Sequence, residues 1–177
     1  MTFIIREAKP ADRLAPAVLH AASWRSAYAP FVPPEALGAP LDANMEARWG
    51  TWPADRLILL AERAGAVVGF AAVVPGDVPL MDNLHVDPRI RGGGIGQKLF
   101  AAMVKRLHTD GAQALRLEVL EGNTGARRFY RLLGGVEGAS HTDILLGHSV
   151  AMLPVQWSAP AFAALVQEFA VAAGKDA

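Results

Sequence analysis

The chain has 177 residues, enough for one domain with its own core, and 52% hydrophobic against 19% charged residues places it in the globular class. Lys plus Arg and Asp plus Glu number 17 each, so the net charge is zero, which argues against a nucleic-acid backbone as the main partner. Cysteine is absent, which excludes disulfides, thiol nucleophiles and Cys-type zinc sites.

The opening MTFIIREAKPADR has no basic leader before a long apolar stretch, so a cytoplasmic protein is expected. Residues 2–8 read as a short strand stopped by Pro10. From Asp12, the expected N-cap, apolar residues recur at helical spacing to Tyr28, and a proline-broken connection leads to a second helix over Pro34 to Arg48. LILLAER (57–63) and AVVGFAAVV (66–74) predict a hairpin, with a bulge expected at Gly69. In LMDNLHVD (80–87, with Asp87 closing it) alternation puts Leu80, Asp82, Leu84 and Val86 on one face, Met81, Asn83 and His85 on the other.

A glycine loop follows, then a helix to about His108, a strand over 114–120 and a helix over 123–133 stopped by Gly134 and Gly135. Two strand-like runs lie near 136–142 and 144–153, before a helix at about 160–172. Residues 144–167 carry no formal charge, yet Pro154 and Pro160 interrupt them, so a buried strand and a separate helix are expected there, not a membrane span. The order β-α-α-β-β-β-α-β-α-β-β plus a C-terminal helix predicts a mixed α/β single domain with an antiparallel first half.

RIRGGGIGQ (89–97) is the stretch with most chemical content. A strand ending in a glycine turn that opens a helix is a general anion site, because the first helical N–H groups lack partners and the dipole favours negative charge. A P-loop fails, since Lys98 is followed by Leu99; a dinucleotide fingerprint is weakened by Gln97 where glycine or alanine is required. The spacing R-x-x-G-x-G over 91–96 fits.

With LHVDPRIRGGGIGQKL (84–99), NTGARRFYRLLGG (123–135) and SWRSAYAPFVPPEAL (23–37), the chain resembles the GNAT superfamily of acyl-CoA-dependent N-acetyltransferases. The resemblance covers roughly residues 3–153. It implies a central twisted mixed sheet of about seven strands flanked by helices, with 1–155 as the acetyltransferase domain and 156–177 as a helical extension packed on it. It also implies acetyl-CoA as cosubstrate and an amine as acceptor, with direct transfer in a ternary complex.

By the same resemblance, main chain at Leu84, His85 and Val86 binds pantetheine and polarises the thioester. N–H groups of Arg91, Gly92, Gly93, Gly94, Ile95, Gly96 and Gln97 hold the pyrophosphate. Asn123 and Phe129 complete the cofactor wall, and Tyr130 is the general acid. Asn123 and Tyr130 are seven apart and share a helix face. An alkylamine near pKa ~10 must lose a proton before attack, so a base is needed. Asp82 is favoured, with Glu118 on the adjacent strand as fallback; many members of the family carry Glu on this strand, sometimes two residues earlier, where this chain has Leu80. Trp24 and Tyr28, one helical turn apart, line the acceptor pocket or fill core.

The five histidines show no ligand spacing, so no metal is expected. The apolar segment 160–172 leaves a homodimer open. A non-catalytic acyl-CoA sensor of the same fold is the rival reading; it predicts cofactor binding without turnover.

Overall fold

Two sequence runs, LILLA and VVGFAAVV, are apolar throughout because the strands they form are covered on both faces. In the computed structural model, which describes residues 3–90 and 93–175, these are β2 (Leu57–Arg63) and β3 (Ala66–Val74). Ile58, Leu60, Phe70 and Ala72 point into one core, and Leu59, Ala61, Ala71 and Val73 into the other. The first core lies under α1 (Leu14–Tyr28) and α2 (Ala39–Trp49). The second lies under α3 (Ile95–Thr109) and α5 (Ala159–Lys175).

The sheet has eight strands in the order β1-β2-β3-β4-β5-β8-β6, with β7 also paired to β8. The additional members are β1 (Ile4–Glu7), β4 (Leu80–Val86), β5 (Leu115–Leu120), β6 (Val136–Glu137), β7 (His141–Leu145) and β8 (His148–Trp157). Every pairing is antiparallel except β4 with β5. The expected seven became eight because β8 is long enough to hold β7 and β6 end to end along one edge. α4 (Thr124–Leu132) follows β5.

Three local expectations are corrected. Asp12 does not cap α1, which starts at Leu14; it sits in a 3₁₀ turn, Pro10–Asp12, where Arg6 (2.8 and 2.9 Å) and the Lys9 N–H (2.7 Å) claim its carboxylate. The second helix starts at Ala39, because Pro34–Leu37 tighten into a 3₁₀ turn closed at Gly38. The β3 bulge falls at Val68, where the pairing slips between Ala61–Gly69 and Glu62–Val67. Gly69 has a packing role instead: a Cβ there would lie 3.0 Å from Leu99, 3.1 Å from the His85 carbonyl and 3.2 Å from Ile95. Glycine lets α3 settle directly onto the sheet.

Candidate active site

β4 and β5 pair only at Leu80 and Arg116 and separate beyond that point. The cavity of about 810 Å³ between them is lined by 80–86 on one side and Glu118, Val119 and Leu120 on the other. Beyond that single pairing the β5-facing main chain of β4 has no ladder partner on β5, which leaves an open edge for an extended ligand. α3 closes one end. Gly94 caps it at φ 74, a left-handed conformation, and no side chain occupies the cap. The N–H groups of the first turn therefore face the cavity unpaired within the helix, and Gly93 to Gln97 line it. Arg91 and Gly92 lie outside the described residues.

α4 supplies the next wall. Asn123 caps it, its Oδ1 accepting from the Ala126 N–H at 3.2 Å. Asn123, Phe129 and Tyr130 all line the cavity, so the seven-residue spacing does bring the asparagine and the phenol to one site. The Tyr130 ring lies 6.3 Å from Phe100 and 6.1 Å from Trp157, with Phe129 edge-on at 5.2 Å. Burial, reinforced by Tyr28, pushes the Tyr130 hydroxyl well above the ordinary tyrosine range, so it keeps its proton. Burial also raises Tyr28, to about 12.

The alternation expected along β4 is interrupted. Ala72 pairs with Asn83 and Val73 with Met81, so Asp82 is an extra residue in a bulge. Met81 joins Leu84 and Val86 in the α3-side core, and Asp82 turns to the α1–α2 side. There its carboxylate accepts from Arg56, in a short contact, and from Asn83 Nδ2 at 2.8 Å, with Arg48 at 3.6 Å. The expectation that Asp82 shares a face with Leu84 and Val86 is thus wrong, and three donors converge on its Oδ2.

His85 offers its main chain to the cleft while its side chain goes to the α1 face. Nδ1 is 2.9 Å from Ser23 Oγ, and the ring lies 4.5 Å from that of His20. His20 is fully buried and accepts from Trp49 Nε1 at 3.2 Å; burial, then His85, holds its pKa far below the usual histidine value, so it is neutral. Trp24 and Tyr28 pack ring to ring at 4.9 Å, join the core cluster and also line the cavity. Glu118 and Asp143 face the same space, Glu118 with His141 Nε2 at 3.7 Å.

Sequence reasoning missed Arg48, Ser23 and Asp143 as cavity residues. Arg48 lies on α2, and nothing in a helical pattern says that this arginine leans over a tryptophan. Among the described residues, no group of three His, Asp or Glu side chains is placed to hold a metal ion, and no helix is long and apolar enough to cross a membrane.

The sheet is thus opened between two parallel strands, with a glycine-capped helix N-terminus at one end of the gap and a buried tyrosine in its wall. The family model for the acetyltransferase (GNAT) family matches residues 21–134, from α1 to the end of α4, and the chain belongs to that family. It is 32% identical to an uncharacterised N-acetyltransferase of Mycobacterium tuberculosis over 78% of this chain and 90% of the relative. It is 39% identical to mycothiol acetyltransferase of Thermobispora bispora over 42% of this chain, a match that spans only 28% of that longer protein. Among solved structures, a GCN5-related N-acetyltransferase from Rhodopseudomonas palustris superposes with TM-score 0.72 at 27% identity, covering 89% of this chain and 96% of the other. The PaiA N-acetyltransferase of Thermoplasma acidophilum, solved with coenzyme A, shares the fold with TM-score 0.67 at 18% identity, covering 86% and 98%.

Proposed function

We propose that this protein transfers the acetyl group of acetyl-CoA to a primary amine, of a small molecule or a peptide, by direct attack with both substrates bound. One observation carries the reading: a single cavity joins the α3 N-terminus, Asn123 and Tyr130 to an acceptor side made by Trp24, Tyr28, Glu118 and Asp143. A relative's name and a neighbour solved with coenzyme A support the same cosubstrate.

The residues fit such a ligand. The unpaired N–H groups from Gly93 to Gln97 suit a pyrophosphate, with Arg91 and Gly92 as proposed members of the same loop. The open edge of Leu84, His85 and Val86 suits the amide arm, and Asn123 and Phe129 stand opposite. When bound, acetyl-CoA supplies an acyl group already activated as a thioester. Main-chain donors of Leu84–Val86 polarise its carbonyl. Glu118 takes the ammonium proton, directly or through a water, since Asp82 is occupied by Arg56 and Asn83 and instead orders the wall. Tyr130, kept protonated by burial, donates a hydrogen bond to the leaving sulfur.

Initial rates with both substrates varied test this. Direct transfer predicts intersecting reciprocal plots and no acetylated enzyme by mass spectrometry. Parallel plots with a covalent acetyl-enzyme would refute it. Tight acetyl-CoA binding with no amine acetylated would favour the sensor reading.

A further inference from the structure

The acceptor side of the cavity is electrically two-sided. Glu118 on β5 and Asp143 on β7 form its acidic wall. On the opposite, helical wall, Arg48 is the one Lys or Arg among the described residues that lines the cavity. Its guanidinium is held in place from three directions. The carbon lies 5.7 Å from the Trp24 ring centroid, Nε donates to Asn44 at 3.0 Å, and Nη1 stands 3.6 Å from Asp82.

That carboxylate does not neutralise Arg48. Asp82 is claimed more closely by Arg56, which is itself 3.9 Å from the exposed Asp55, so two guanidiniums share the Asp82 carboxylate. Among the described residues, the Nη groups of Arg48 make no hydrogen bond within the usual distance, and the side chain is 36% exposed. A planar fork with free donors, stacked on a tryptophan and fixed at Nε, is organised for a carboxylate. Its cost to an acceptor that is only cationic is repulsion.

We infer that the acceptor is a small amine that also carries a carboxylate, of the α-amino-acid type: its ammonium faces Glu118 and Asp143, and its carboxylate pairs with Arg48. This rests on the acetyl-transfer reading and adds the substrate class. It disfavours polyamines and aminosugars without an acidic group. The reaction balances as amine plus acetyl-CoA giving amide plus CoA thiol, one C–N bond formed and one C–S bond broken, with the ammonium proton leaving through Glu118.

The test compares kcat/KM for the standard α-amino acids with that for their α-amides and for spermidine, on the wild-type protein. A charge-assisted bidentate contact predicts that at least one acid exceeds its own amide by roughly 10- to 100-fold. Arg48→Gln should erase that ratio by raising KM for the acid far more than for its amide, and Arg48→Lys should restore part of it. Amides or spermidine acetylated as well as the acids overturn the inference, as does an Arg48→Gln effect equal on both. Acetyl-CoA binding by calorimetry with no acid acetylated overturns the substrate class while the cofactor site stands. No acetyl-CoA binding overturns both. The acid-to-amide comparison needs no variant, so a poorly folding Arg48→Gln protein does not remove the test.

Discussion

Tyr130 and Asp12 show how a single environment sets what a residue can do. Tyr130 sits among Phe100, Phe129 and Trp157, and burial favours its protonated form. It therefore works as a hydrogen-bond donor across the neutral range, and no loss of rate from its ionisation is expected below the ordinary tyrosine value near ~10. Tyr130→Phe should lower kcat by roughly 10²- to 10³-fold with acetyl-CoA affinity within a few-fold of wild type, read by steady-state rates and calorimetry. Asp12 is the opposite case. Its bonds from Arg6 and the Lys9 N–H hold the carboxyl down to about 2. A depressed folded pKa means that the stabilisation is complete above the unfolded value near 3.8 and is lost as pH falls through about 2. Asp12→Asn should cost about 1 kcal/mol at neutral pH and flatten the acid limb of stability between those values, measured by urea unfolding. Sequence reading put Tyr130 and Asn123 together, and both line one cavity, because their spacing on one helix survives folding unchanged. It misplaced Asp82, because a bulge inserts a residue that no alternation pattern records.

At the scale of elements, the site follows from one parallel pairing and one glycine cap. The β4–α3 crossover makes β4 and β5 parallel neighbours that touch at a single register position, and this opens the cleft. Gly94, at φ 74 with open space around its Cα, sets the direction in which α3 leaves the loop. Gly94→Ala should cost about 1 kcal/mol, the usual price of a left-handed non-glycine residue, and should weaken acetyl-CoA binding by reorienting the first-turn N–H groups. Gly69→Ala should destabilise by about 1–3 kcal/mol through overpacking against Leu99 and Ile95, with smaller consequences for the cofactor once folded. The glycine motif and the β–loop–α order were readable because they are local. The separation of β4 from β5 and the subdivision into β6, β7 and β8 were not, since both depend on which strands become neighbours.

For the whole molecule, we propose that the two-sided sheet divides the labour, α3 and α4 toward the cofactor, α1 and α2 toward the acceptor wall. We propose that 156–177 belongs to the same folding unit as 1–155. Phe162 and Leu165 of α5 enter the core that holds Phe100 and Trp157, and Phe169 meets Phe100 at 6.3 Å. Phe162→Ala should then cost about 3–5 kcal/mol in a single cooperative transition, not release a separately melting tail. Release of free CoA thiol from acetyl-CoA, followed with and without each amine, is the most direct measurement of the central claim. The account predicts release that depends on an amine acceptor and collapses in Tyr130→Phe. Release that is the same with and without every amine, or that survives Tyr130→Phe undiminished, would contradict it.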